Sequence, residues 1–153
     1  EASGTGCMKL MLNGAVTLGT LDGANIEIRE AVENDNIIIF GMKNEEVNAL
    51  KARGYNPEDI YAKNETIRKC INRMYQGING CVFSEVANSL KSQDPYMVLA
   101  DFESYRQAQK FSSETYRDKM KWAKMSLNNI AGAGIFSADR AVNEYAKNIW
   151  HLK

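Results

Sequence analysis

The densest chemistry in the chain lies in its first nine residues, Glu1-Ala2-Ser3-Gly4-Thr5-Gly6-Cys7-Met8-Lys9. Gly4 and Gly6 allow a ligand to approach the backbone closely. Thr5 is a candidate N-cap for a short helix through Met8, Leu10, Met11 and Leu12, with Asn13-Gly14 as its stop. Backbone N–H groups at a helix start, together with the positive end of its dipole, suit an anion and phosphate in particular. Lys9 follows one turn later. The segment is not a Walker loop, because the spacing to the lysine is wrong and no Ser or Thr follows it. Nor is it a dinucleotide GxGxxG, because Lys9 stands where the third glycine belongs. A lysine in a first turn faces the positive dipole end at a cost of about 0.3–1 kcal/mol. That cost vanishes if the amine is uncharged in a Schiff base or balanced by a bound phosphate, and pyridoxal phosphate supplies both. Spacing alone leaves a second account standing, a solvent-exposed lysine beside an ordinary glycine turn.

The elements that must position this segment alternate at first and then turn helical. Ala15-Val16-Thr17-Leu18 reads as a short buried strand, Leu21-Asp22-Gly23-Ala24-Asn25 as a turn, and residues 25–32 as a helix. Asp22 and Asn25 are read as turn-forming and capping residues rather than ligand contacts. Ile37-Ile38-Ile39-Phe40 is a continuous apolar run closed by Gly41, the pattern of a parallel strand buried on both faces. Further helices are expected at 45–53 with Asn44 as cap, 64–74, 84–90, 101–112, 114–131 and 138–150. The 114–131 helix offers Trp122, Met125 and Ile130 to a core. Ser137 caps the last helix, with Asp139 in its first turn. Two or three strands do not make a stable parallel sheet by themselves. The expected class is therefore α/β, the trailing part of a larger sheet with few parallel strands and many helices.

Composition narrows the function classes. The 153 residues carry 19 Lys+Arg and 19 Asp+Glu, 44% apolar residues and 25% charged. That is a globular composition, neither disordered nor basic enough for nucleic acid to be the main partner. No run approaches the roughly 20 apolar residues of a transmembrane helix, and no charged-then-apolar leader opens the chain. Residues 1–104 hold 10 basic and 15 acidic groups, a net of −5, and residues 105–153 hold 9 and 4, a net of +5. Solvated helix faces are the reading preferred for that asymmetry, with an anionic partner for the basic half as the alternative. Cys7, Cys70 and Cys81 show no CxxC spacing, so a disulfide framework or zinc site is not expected, and a reducing cytoplasm is. His151, the single histidine, sits near the end of the sequence, which disposes of a Ser-His-Asp triad or a histidine metal site within this chain. The start at Glu1, directly in a glycine-rich segment with no initiator Met, leads us to expect a piece of a longer chain.

Residues 1–27, EASGTGCMKLMLNGAVTLGTLDGANIE, closely resemble the cofactor-binding segment of the α-glucan phosphorylases, the glycogen, starch and maltodextrin enzymes. The resemblance continues through FGM (40–42), RGYNP (53–57), LADFESY (99–105) and NIAGAGIFSADRAVNEYAKNIW (129–150). It implies that Lys9 forms the Schiff base with pyridoxal 5′-phosphate. It further implies that Thr5 and Gly6 hold the cofactor phosphate through their backbone N–H groups. Glu1, Ala2, Ser3 and Gly4 match the loop that binds hydroxyls of the glucosyl unit. The implied reaction is reversible phosphorolysis of an α-1,4-glucan to glucose 1-phosphate, with retention. The implied fold is a Rossmann-like, GT-B type C-terminal domain of a homodimeric cytoplasmic enzyme. On this reading residues 1–153 are the C-terminal portion of the cofactor- and glucosyl-binding domain, with the N-terminal domain and the first part of this one absent. Such a fragment is expected to be inactive alone. Two other classes stand beside it: a phosphate- or nucleotide-binding α/β module in which Lys9 makes only an ion pair, and a noncatalytic interaction domain. Cys7 departs from the family pattern, which has Asn there, and reads as a small apolar thiol or as an unusually reactive one.

Overall fold

The computed structural model describes residues 4–152. In chain order they form α1 (Thr5–Leu12), β1 (Leu18–Gly19), α2 (Ala24–Val32), a 3-10 turn (Asn34–Asn36), β2 (Ile38–Ile39), α3 (Asn44–Ala52), α4 (Pro57–Lys63), α5 (Glu65–Gln76), α6 (Ser84–Ser92), α7 (Val98–Arg117), α8 (Lys119–Gly132), a second 3-10 turn (Ala133–Phe136) and α9 (Ala138–Asn148). The chain divides into two compact units, one comprising Glu1–Phe40 with Ala108–Lys153, the other Gly41–Gln107. As expected the class is α/β and mostly helical, with two parallel strands among the described residues.

In the first unit Leu18 and Gly19 pair with Ile38 and Ile39, and the ladder starts where Ile38 N–H donates to Thr17 C=O at 2.9 Å. The expected strand at 15–18 begins later than its apolar pattern suggests. The cause is a Schellman stop on α1: Gly14 N–H donates to Met11 C=O at 2.9 Å and Ala15 N–H to Leu10 C=O at 3.0 Å. Ala15 is thereby spent on ending the helix. Successive residues of the apolar run then point to opposite sides. Ile37 and Ile39 join Met11, Ile28, Val32 and Ala133, while Ile38 and Phe40 join Val16, Leu18, Ala108, Trp122 and Met125. The two-faced burial expected of that strand is present.

Other boundaries moved for identifiable reasons. Thr5 is not the N-cap of α1; Gly4 is, and Thr5 is already the first helical residue. Asn44 likewise lies inside α3, because Glu46 Oε2 accepts the Lys43 N–H at 2.7 Å and fixes the start one residue earlier. Ser137 caps as expected, accepting from Arg140 N–H, whereas Asn64, expected as the first residue of its helix, is the cap of α5 and accepts from Thr66 and Ile67 N–H. The helix expected at 101–112 runs from Val98 to Arg117. The Asp94 carboxylate accepts Val98 and Leu99 N–H at 2.9 and 2.8 Å, and so starts α7 early. Asp118, accepting from Lys121 N–H, opens α8 later than the expected 114. Ile130, expected in a core, is largely exposed among the described residues.

The second unit is helical apart from one antiparallel bridge between Ile78 and Cys81. Its core is Ile67, Ile71, Ala87 and Leu99, flanked by Ile60, Tyr61, Met74, Tyr75, Leu90 and Phe102. Ile67, Ile71 and Met74, at spacings of four and three, share one face of α5. Among the described residues no helix is long and apolar enough to cross a membrane.

Candidate active site around the start of helix 1

Helix α1 presents its first turn to the outside. Its first intrahelical bond is Met8 N–H to Gly4 C=O at 3.0 Å, so the N–H groups of Gly6 and Cys7 stand ahead of the hydrogen-bonded ladder. Lys9 is exposed, one turn beyond Thr5 and on the same side of the helix. It is, however, the fifth of eight residues and belongs to the last turn. There a cation is favoured by the dipole, so the electrostatic cost inferred from the sequence does not arise. The case for Lys9 rests instead on its distance of one turn from the helix start.

The two glycines of the segment differ in what they do. A methyl group at Gly4 would overlap the Ala24 side chain, so packing of α1 on α2 accounts for that glycine. Gly6 has no such reason: among the described residues nothing lies within 4 Å of where its Cβ would stand, and its backbone is helical. A glycine inside a helix costs about 0.8–1 kcal/mol relative to alanine, and no described neighbour explains it. Space is left over the first turn, beside unladdered N–H groups and one turn from an exposed amine. A phosphate-bearing aldehyde fits that donor set: the N–H groups suit its phosphate and Lys9 its carbonyl carbon. Glu1, Ala2 and Ser3, the remaining members of the proposed sugar loop, lie outside the described residues.

Cys7 is half-buried and packs against the cluster of Met11, Ile28, Val32, Ile37 and Ala133. That is the small apolar role rather than the exposed reactive one. Cys70 and Cys81 are exposed. Asp22 and Asn25 form the expected turn: Thr20 Oγ1 donates to Asp22 Oδ1 at 3.1 Å, and Asn25 Nδ2 donates to Thr20 C=O at 2.9 Å. Neither caps α2, whose N-cap is Gly23. Among the described residues no cluster of His, Cys, Asp or Glu could hold a metal ion.

Sequence reasoning missed the polar frame behind α1. Asn36 Nδ2 donates to Val32 C=O at 2.7 Å, and its Oδ1 accepts from Asn128 Nδ2 at 2.9 Å. Asn129, fully buried, donates to Asn36 C=O at 2.7 Å and Met125 C=O at 2.9 Å. The available signal was a consecutive Asn pair inside a helix, where asparagine is a poor helix former. The strongly perturbed groups lie in the other unit. Burial, then the hydrogen bond to Asp94, raises the Tyr55 hydroxyl well above its ordinary range. Burial raises Asp101 against the opposing Met42 N–H bond. The Arg106 guanidinium lowers exposed Glu103 to about 2.

Comparison with known proteins places this site in a family. The carbohydrate phosphorylase family matches residues 1–152. A glycogen phosphorylase of Synechocystis is 44% identical over 157 aligned residues, which cover 100% of this chain and 18% of that protein. The brain form of glycogen phosphorylase from mouse is 43% identical, and the muscle form from rat 42%, each across 100% of this chain and 19% of the relative. The chain therefore spans a little under one-fifth of the length of the curated relatives it matches. With the glycine-rich helix start and its lysine inside the matched region, the chain belongs to the carbohydrate phosphorylase family.

Proposed function

We propose that this chain is the C-terminal portion of the cofactor- and glucosyl-binding domain of an α-glucan phosphorylase. The full-length parent is a GT-B type, pyridoxal phosphate-dependent glycosyltransferase that interconverts α-1,4-glucan plus phosphate with glucose 1-phosphate. The observation that carries the reading is the unfilled space at Gly6, one helical turn from an exposed Lys9, in a member of this family. Lys9 holds the cofactor, and the N–H groups of Thr5 and Gly6 orient its phosphate at the helix start. Glu1, Ala2, Ser3 and Gly4 engage hydroxyls of the glucosyl unit. When bound, pyridoxal phosphate supplies a phosphate group for proton transfer and charge stabilisation at the glycosidic bond. Leu10 and Leu12, 61% and 59% exposed on α1, support further packing of the same domain over this helix. The parent acts as a cytoplasmic homodimer.

Convergent groups must be held in register for such a reaction, and many of them lie beyond this chain. The full-length protein supplied with maltodextrin and phosphate is expected to release glucose 1-phosphate, and the 153-residue chain alone is expected to release none. Absence of product from the full-length protein would contradict the assignment, and release by the isolated chain would contradict the inactivity.

A further inference from the structure

One short stretch of α8, residues 126–132, touches the end of α1, the end of α2 and the turn that leads into β2. Gly14, which ends α1, lies so close that a methyl there would strike Ser126 Oγ and come within 3.2 Å of Ile130 Cδ1. Gly132 stands where a Cβ would be 2.9 Å from Ala31 C=O and 3.0 Å from Val32, at the end of α2. Between these contacts Asn129 grips the Asn36 carbonyl, and Asn36 leads directly into Ile37 and β2. β2 in turn pairs with β1, the strand that follows α1. The placement of α1 is thus referred to α8 twice, by direct contact at Gly14 and through the strand pair.

Asn129 is an expensive choice for this position. It is fully buried, and its Oδ1 has no hydrogen-bond partner among the described residues. A buried acceptor left unpaired costs about 1–3 kcal/mol, and an apolar side chain would avoid that cost. What asparagine alone supplies is the double donation to Asn36 and Met125 carbonyls, which selects one arrangement of the β2 entry on α8. We infer that Asn129 is a positioning residue for Lys9, fixing through Asn36 and the strand pair the height at which the lysine helix stands.

This inference rests on the reading of Lys9 as the cofactor lysine. Its test uses the full-length phosphorylase that carries this segment. Pyridoxal 5′-phosphate is added, the protein is reduced with borohydride at timed intervals, and the pyridoxyl adduct on the Lys9 peptide is quantified by mass mapping. Asn129→Ser should slow adduct formation roughly tenfold or more, as expected for a reacting group displaced by about an ångström. Asn128→Ala, which removes only the outer bond to Asn36, should slow it less. Ile71→Ala, in the Ile67–Ala87 cluster of the other unit, serves as a control for lost stability, with labelling close to wild type. Equal labelling of Asn129→Ser and Ile71→Ala at matched thermal stability would show Asn129 to be merely structural and overturn the proposal. If Asn129→Ser does not fold, Asn128→Ala against Ile71→Ala decides by the same criterion. A wild-type protein with no adduct on Lys9 would overturn both this inference and the reading beneath it, whereas a normal wild-type adduct with indifferent variants overturns this inference alone.

Discussion

The two units of the chain differ in how certain small residues and buried polar groups are accounted for. In the helical unit each feature closes on itself. Gly54 follows α3 at φ +86°, and Gly77 ends α5 at φ +89°, conformations that favour glycine regardless of any partner. Asp94, 0% exposed, satisfies its carboxylate with Val98 N–H, Leu99 N–H and Tyr55 Oη–H at 2.9, 2.8 and 2.6 Å. In the α/β unit Gly6 has neither a positive φ nor, among the described residues, a neighbour that a Cβ would meet, and the buried Asn129 Oδ1 has no partner among them. The contrast separates residues chosen for the fold from residues chosen for something that the fold does not itself contain. A strongly shifted titration does not mark that difference here, since Tyr55, Asp101 and Glu103 all belong to the self-contained unit.

Substitutions can cross that line in both directions. The largest expected effect is on Lys9: Lys9→Ala in the full-length protein should lower phosphorolysis by on the order of a hundred- to a thousandfold, with little change in thermal stability. A glucose 1-phosphate assay beside a thermal melt checks both halves. Asp94→Ala should do the reverse, costing about 1–3 kcal/mol or more by stranding two N–H groups and the Tyr55 hydroxyl, while leaving Lys9 labelling intact in protein that remains folded. Denaturant titration measures the first effect and borohydride labelling the second. The glycine pair sharpens the comparison within one helix turn. Gly4→Ala should destabilise through its overlap with Ala24, whereas Gly6→Ala should hold or gain up to about 1 kcal/mol. Only Gly6→Ala should weaken cofactor retention while stability is preserved, as measured by the rate of cofactor loss on dialysis.

The smallest effect concerns pH. Because the Tyr55 pKa is raised in the folded state above its ordinary 10.0, the native protein holds that proton longer than the unfolded chain. The associated stability is complete below pH 10 and is lost as pH rises towards the raised value. Tyr55→Phe should therefore flatten the alkaline end of the stability profile. An unchanged slope above pH 10 would show that the buried hydroxyl is not the group responsible.

Much of this was readable from residue patterns, and the failures have physical causes. The apolar run at 37–40 announced a strand buried on both faces, and Ser137 announced its helix, because those signals are local. The limits of α1, β1 and α7 were missed where hydrogen bonds between non-adjacent residues decided them. Examples are Ala15 N–H taken by Leu10, and Val98 N–H taken by Asp94 across the Pro95 turn. In the site, the lysine and the glycines were visible as a motif, but a linear sequence treats Gly4 and Gly6 alike. Only the packing of Ala24 distinguishes them. The Asn36–Asn128–Asn129 frame was invisible for the same reason, since its partners stand 92 and 93 residues apart.

The central claim, that Lys9 is the residue holding pyridoxal phosphate, has a direct measurement. Full-length protein purified with its cofactor is reduced with borohydride, digested, and its lysine peptides mapped by mass. The account predicts one pyridoxyl-phosphate adduct, on the peptide that contains Lys9. An unmodified Lys9, with the cofactor on another lysine or on none, would contradict it.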